Sequence, residues 1–234
     1  MAEFSKESCL EDLRRRILST ELPPGQELDE VGLSAHYGMS RTPLREVLQR
    51  LQGEGYVVMA QNRGAKVASM DIGVMRVFFQ TAPMIYGNVI RLAAENRRLN
   101  EIPPLKEIQH KFRAATQAGD VENAVMLNHQ FHHQIGLMAH NPYLMPSLSR
   151  TQIDHTRLSQ TFYRPASNDD AGRVAKAVEH HDAMIIAIEN QDPAAAVALT
   201  IEHWNLSRDR LERFVSPDPL PLDVLDMKDR TYAV

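Results

Sequence analysis

The chain has 234 residues, 43% of them hydrophobic, which is enough for two modest cores, and its formal net charge is −4. That overall acidity excludes a uniformly basic nucleic-acid coat, yet between residues 36 and 66 the basic Arg41, Arg45, Arg50, Arg63 and Lys66 face only Glu46 and Glu54, and phosphate neutralisation is a local event. A single cysteine, Cys9, excludes an intramolecular disulfide, acidic and basic residues interrupt the first dozen positions, and no stretch approaches the roughly 18 apolar residues of a membrane span, so a soluble cytoplasmic protein is predicted.

In chain order, Leu10, Leu13, Ile17 and Leu18 form an apolar stripe on a first helix that also carries Arg14, Arg15 and Arg16, and Pro23-Pro24-Gly25 stops it. A second helix is expected from about Asp29 to Tyr37, and Gly38 supplies a tight turn. Ser40 and Thr42 are both suited to N-cap a third helix, with Pro43 in its first turn. Leu44, Val47, Leu48 and Leu51 recur at helical spacing and must be buried, which leaves Arg41, Arg45 and Gln49 off the stripe near the helix start. A helix entering the major groove N-terminus first presents those positions to base edges and phosphates. Gly55 ends it, and 56–60 with 65–69 are expected to form a hairpin around Gln61-Asn62-Arg63-Gly64. The pattern predicts a winged helix-turn-helix domain over residues 1–70.

The segment ILSTELPPGQELDEVGLSAHYGMSRTPLREVLQRLQGEGYV and the following RGAKV resemble the GntR superfamily of bacterial transcription regulators. By position, the resemblance implies DNA contacts from Arg41, Thr42 and Arg45, with Ser40 near the backbone and Arg63-Gly64 in the wing. One position departs: some relatives carry arginine in the second helix where this chain has Val31, which implies a different affinity or operator.

Residues 71–215 are helical in pattern throughout. Expected helices are 72–98, 103–118, 121–139, 142–164, 169–190 and 193–215, with Pro83 kinking or splitting the first and Asn141-Pro142, Asp192-Pro193 and Gly119-Asp120 marking helix starts. Six antiparallel helices make an α-bundle with room for a central cavity. Residues 216–234, with Pro217, Pro219 and Pro221, form a tail that cannot extend the last helix.

Ten histidines are present, and imidazole is the commonest metal ligand. Asn128 and His132 are four apart and share a helix face; so do His129 and His133, about 100° away, and spacing does not choose between the pairs. The segments NHQFHHQIGLMAHNPYL and EHHDAMIIAIENQDPAAAVAL, with His203, resemble the FCD effector domain of the FadR branch, and six helices resemble its VanR-type subgroup. The resemblance implies metal ligands at Asn128, His132, His181 and His203, taking Zn²⁺, with Ni²⁺ or Mn²⁺ as alternatives. His129, His133, His140, His155 and His180 are read as ordinary polar residues. Many relatives clamp an effector carboxylate with an arginine on the first bundle helix and place a glutamate four residues on; those positions are Thr81 and Ile85 here, and Arg157 is the substitute the sequence offers. With a neutral Asn128 among neutral imidazoles the metal charge is uncompensated, which favours an anionic ligand.

The expected function is a ligand-responsive regulator, and a repressor in the family's commoner mode. It would act as a homodimer on a near-palindromic double-stranded operator, with a small anionic metabolite sensed in the bundle and a hinge at 68–73. A pure metal sensor and a metal-dependent hydrolase are the alternatives. No paired carboxylate or Ser/Cys nucleophile accompanies the histidines, so the sequence speaks against an enzyme.

Overall fold

The computed structural model describes residues 4–60 and 64–215; the tail expected over 216–234 and the wing-tip Arg63 lie outside the described residues. Helix α1 (Lys6–Leu18) starts at Ser5, whose hydroxyl accepts from the Ser8 amide, and buries Leu10, Leu13, Ile17 and Leu18 together with Cys9. Then come β1 (Glu27–Leu28), α2 (Glu30–Tyr37), α3 (Arg41–Glu54), β2 (Val57–Ala60) and β3 (Gly64–Val67). The strands form an antiparallel sheet in the order β1-β3-β2. Two expectations needed revision. The hairpin ladder ends at Val67 rather than Ser69, and a third strand, β1, pairs Glu27 with Lys66 and Leu28 with Ala65. A two-residue strand carries no alternation to read.

Gly55 closes α3 with φ 90° and also lets the second domain approach, because a Cβ there would overlap the Arg150 side chain.

The second domain is α4 (Ile72–Asn96), a 3-10 turn (Leu99–Glu101), α5 (Ile102–Gln117), α6 (Val121–Met138), α7 (Leu144–Phe162), α8 (Asn168–Glu189) and α9 (Pro193–Val215). All six expected helices are present. Helix α4 is not split at Pro83: the missing N–H removes one bond, while Ala82, Ile85, Tyr86 and Val89 bury the helix on either side of it. Asn141 acts as expected near a helix start although α7 begins three residues later; its Oδ1 accepts from the Tyr143 and Leu144 amides, each at 3.0 Å. Helix α4 packs on α6, α7, α8 and α9 around a core that includes Phe78, Tyr86, Phe131, Met184 and Trp204.

Helix α7 joins the two domains. Ile153 is buried in the N-terminal core, Gln160 Nε2 donates to the Leu18 carbonyl at 3.2 Å, and Arg157 Nη1 donates to the Ala68 carbonyl at 2.7 Å. The segment read as a hinge is therefore tied at its first residue to the bundle.

Candidate functional site

On α3, the helix expected to read DNA, burial of Leu44, Val47, Leu48 and Leu51 forces Ser40, Arg41, Thr42, Arg45 and Gln49 outward, and all five are exposed. Ser40 occupies the N-cap position of α3 but its hydroxyl makes no capping bond. Arg45 Nε donates to Glu30 Oε2 at 3.0 Å, and Glu30 also lies beside Gly64, the φ 74° residue that opens β3. Glu30 thus stands where reading helix and wing meet, and a phosphate or base that takes Arg45 must displace it. Arg14 differs: both arms of its guanidinium are held on Glu54, part-buried between α1 and α3. Arg45→Ala is expected to cost about 1–3 kcal/mol of operator affinity. Arg14→Ala should instead loosen α1 on α3 and leave the operator contacts in place. Anisotropy titration separates them, and an Arg45→Ala chain binding as tightly as wild type would show that α3 does not read DNA through that residue.

The bundle presents the second constellation. His132 on α6, His181 on α8 and His203 on α9 each offer a ring nitrogen, and these nitrogens lie within 4.8 Å of one another. The ring centroids are 5.3 Å apart for His132–His181, 5.7 Å for His132–His203 and 4.7 Å for His181–His203. His132 Nε2, His181 Nε2 and His203 Nδ1 are buried without a hydrogen-bond partner. An orphaned buried nitrogen is costly, and three that converge from three helices fit one borderline-soft divalent ion such as Zn²⁺. Burial, followed by the neighbouring imidazoles, holds the His132 and His181 pKa values well below the ordinary range, and burial pushes His203 down to about 3. All three are neutral at pH 7, the form that ligates.

His181 is oriented by a chain of partners that sequence reasoning missed. Its Nδ1 lies 3.1 Å from Gln109 Oε1, while Gln109 Nε2 donates to the Val178 carbonyl at 3.0 Å and to Asp182 Oδ1 at 3.1 Å. Those two donations fix the amide so that its oxygen faces the ring. His181 must then carry its proton on Nδ1 and leave Nε2 bare for a ligand role. Phe131 stacks on the same ring at 3.9 Å. A lone glutamine on α5 gives no signal of this in the sequence.

Asn128 is buried on the same helix as His132, and its Oδ1 accepts from the Tyr163 hydroxyl at 3.1 Å. The other pair at the same spacing is placed elsewhere. His129 and His133 line a cleft of about 860 Å³ between the domains with Arg14, Glu54 and Arg150, and His129 Nδ1 lies 2.8 Å from Thr156 Oγ1. Two histidines read as ordinary stand beside the cluster. The His155 ring lies 5.4 Å from that of His132, and the His180 ring 6.0 Å from that of His203.

The three residues expected around an effector are not gathered in one place. Thr81 lines a groove of about 470 Å³ with Gly73, Val77, Phe78 and Asp154, and Ile85 is part of the apolar core. Arg157 is fully buried, with one Nη on Asp154 and the other on Ala68, so its cation is already neutralised and serves the domain join rather than a carboxylate clamp.

Comparison with known proteins agrees with both halves. The family model described as bacterial regulatory proteins, gntR family, matches residues 6–67, and the FCD domain model matches residues 79–206. The Nta operon transcriptional regulator of Aminobacter aminovorans is 23% identical over 184 residues, 78% of this chain and 83% of that protein. The HTH-type transcriptional repressor RspR of Escherichia coli is 22% identical over 191 residues, 82% of each chain. Among solved structures, E. coli McbR/YncC superposes with a TM-score of 0.73 at 19% identity, covering 88% of this chain and 95% of that one. These relatives are regulators, not enzymes. Among the described residues no helix is long and apolar enough to cross a membrane.

Proposed function

The chain belongs to the gntR family of bacterial regulatory proteins, with an FCD domain as its second half, and is a DNA-binding transcription regulator; from that premise we propose that a metal held in the bundle is the platform on which a small anionic effector controls operator binding. The observation that carries this reading is the set of three orphaned nitrogens on His132, His181 and His203. Asn128 is the fourth ligand in this proposal, an arrangement that requires its amide oxygen to exchange Tyr163 for the ion. Zn²⁺ suits the donor set best, and Ni²⁺ or Mn²⁺ would use the same atoms. The ion would supply a positive charge and open coordination positions for an anion. Regulation requires that the effector bind one placement of the DNA-binding domains better than another, and such coupling is typically about 5–150-fold in affinity. Helix α7 packs on α6, which carries Asn128 and His132, and on α1 of the DNA-binding domain. Repression of a target operon is the mode proposed, in common with the named repressor among its relatives.

The test is operator binding measured side by side in chelator, in Zn²⁺, and in Zn²⁺ with a panel of small carboxylates. Release only when a carboxylate is added supports the effector reading. Release by chelator alone makes the chain a metal sensor, and indifference to all three removes the metal from its function. A near-palindromic operator further calls for two wings held at one helical-turn spacing, so a homodimer is proposed. Light scattering at micromolar concentration should give twice the chain mass, and a stable monomer would exclude it.

A further inference from the structure

We infer that Tyr86 on α4 and His155 on α7 form the anion-recognising wall of the histidine site, taking a small carboxylate, an inference that rests on the metal reading above. Tyr86 and His155 stand 2.8 Å apart, hydroxyl to Nδ1. Both rings adjoin His132, with centroids at 5.3 Å for Tyr86 and 5.4 Å for His155. The tyrosine meets His132 edge-on at 88°. Trp204 lies on the other side, 5.9 Å from Tyr86 and 5.6 Å from His155. The pair is therefore a polar element set in an otherwise aromatic face that abuts the His132 ring.

The charge balance around the cluster says what it recognises. Among the described residues no carboxylate belongs to the convergent group. Of the acidic side chains nearby in the fold, Asp182 is matched by Arg113, Asp154 by Arg150 and Arg157, and Glu179 by Lys176, while Glu202 is exposed on α9. A divalent ion among neutral imidazoles keeps its full charge, so the compensating anion must come from outside the chain. Taken as whole residues, His132 and His181 are buried and His155 is half-buried, so His155 stands on the less enclosed side of His132.

The pair can also donate whatever its tautomer. If the Tyr86 hydroxyl donates to Nδ1, the imidazole keeps N–H on Nε2. If Nδ1–H donates instead, the phenol hydrogen is left. One donor beyond the shared bond remains in either case, and a carboxylate oxygen is its natural partner. A residue whose only task was to satisfy the Tyr86 hydroxyl would not need to sit against His132.

Trp204, the one tryptophan of the chain, is a native reporter at this wall. In the full-length protein, Co²⁺ should quench its emission, and malonate added to the Co²⁺-loaded protein should change it again. Tyr86→Phe should weaken malonate several-fold. The double variant Tyr86→Phe/His155→Leu, which removes both partners and orphans neither, should weaken it at least about tenfold, while the Co²⁺ midpoint stays that of wild type. Malonate midpoints unchanged in both variants would overturn the inference, as would a wild-type protein that binds Co²⁺ and ignores malonate. Loss of Co²⁺ affinity in the double variant would also overturn it, by making His155 part of the metal's own support. A wild-type chain whose Trp204 does not respond to Co²⁺ would overturn the metal reading itself, and the wall with it.

Discussion

Replacing His132 and His181 together with alanine is expected to abolish metal binding and effector response while leaving operator affinity essentially unchanged. Two of three convergent nitrogens are lost, and the remaining His203 with an amide oxygen is too poor a donor set to hold a divalent ion against solvent. The proposed reading residues Arg41, Thr42 and Arg45 belong to another domain with its own core, so their contacts should persist. The variant loses the stacking of His181 on Phe131, so absolute stability falls for reasons unrelated to metal. The discriminating quantity is the change in melting temperature caused by chelator. At a thousandfold excess over Kd, a bound ion stabilises the wild type by about 4 kcal/mol, which for a chain of this size is a shift of roughly 10 °C. That shift should vanish in the variant. Metal at full stoichiometry in the variant, by elemental analysis, would overturn the assignment of the site, and an effector response surviving metal loss would overturn the mechanism.

What was legible in the sequence follows from periodicity. Leu44, Val47, Leu48 and Leu51 name a buried face, and the outward residues of α3 follow by subtraction. The starts of three of the six bundle helices follow from capping chemistry at Asp120, Asn141 and Asp192. The histidine cluster was not legible in that way. His132, His181 and His203 are far apart in sequence, and at the level of spacing His129 and His133 were as good a pair. Resemblance to a family singled out one pair, and the packing of α6 shows why a face matters: it turns His132 into the bundle and His129 toward the cleft between domains. Arg157 reads as an available cation only when it is taken without its neighbours. Asp154 lies three residues before it on the same helix, where opposite charges meet, and that signal was present in the sequence. The role of His155 depends on Tyr86, a partner on another helix, which no local pattern reveals.

Asp154→Ala is expected to be among the most destabilising single changes in the chain and to uncouple its two domains. Asp154 and Arg157 form a buried pair, with side chains 5% and 0% exposed, and Arg157 spans from that carboxylate to the Ala68 carbonyl at the entry to α4. Burial pushes the Arg157 pKa down, and Asp154 is what draws it back up. Without the carboxylate a buried cation is left uncompensated, with its Nε already lacking a partner, at a cost of about 3–5 kcal/mol. Arg150, half-exposed, can turn to water and adds little. The melting temperature should therefore fall by roughly 10 °C. The double variant Asp154→Leu/Arg157→Met should recover most of this loss, because two apolar side chains of similar volume remove both charges, and only the bond to Ala68 stays broken, worth about 1 kcal/mol. The function of the pair appears in a different measurement. The double variant keeps His132, His181 and His203 untouched and should bind metal as wild type does. It lacks the tie from α7 to Ala68, so its operator affinity should respond less to the effector. A double variant as unstable as Asp154→Ala would show that shape rather than charge matters at the join, and a full effector response in it would show that the coupling runs through other contacts, with Gln160 to Leu18 the first to test.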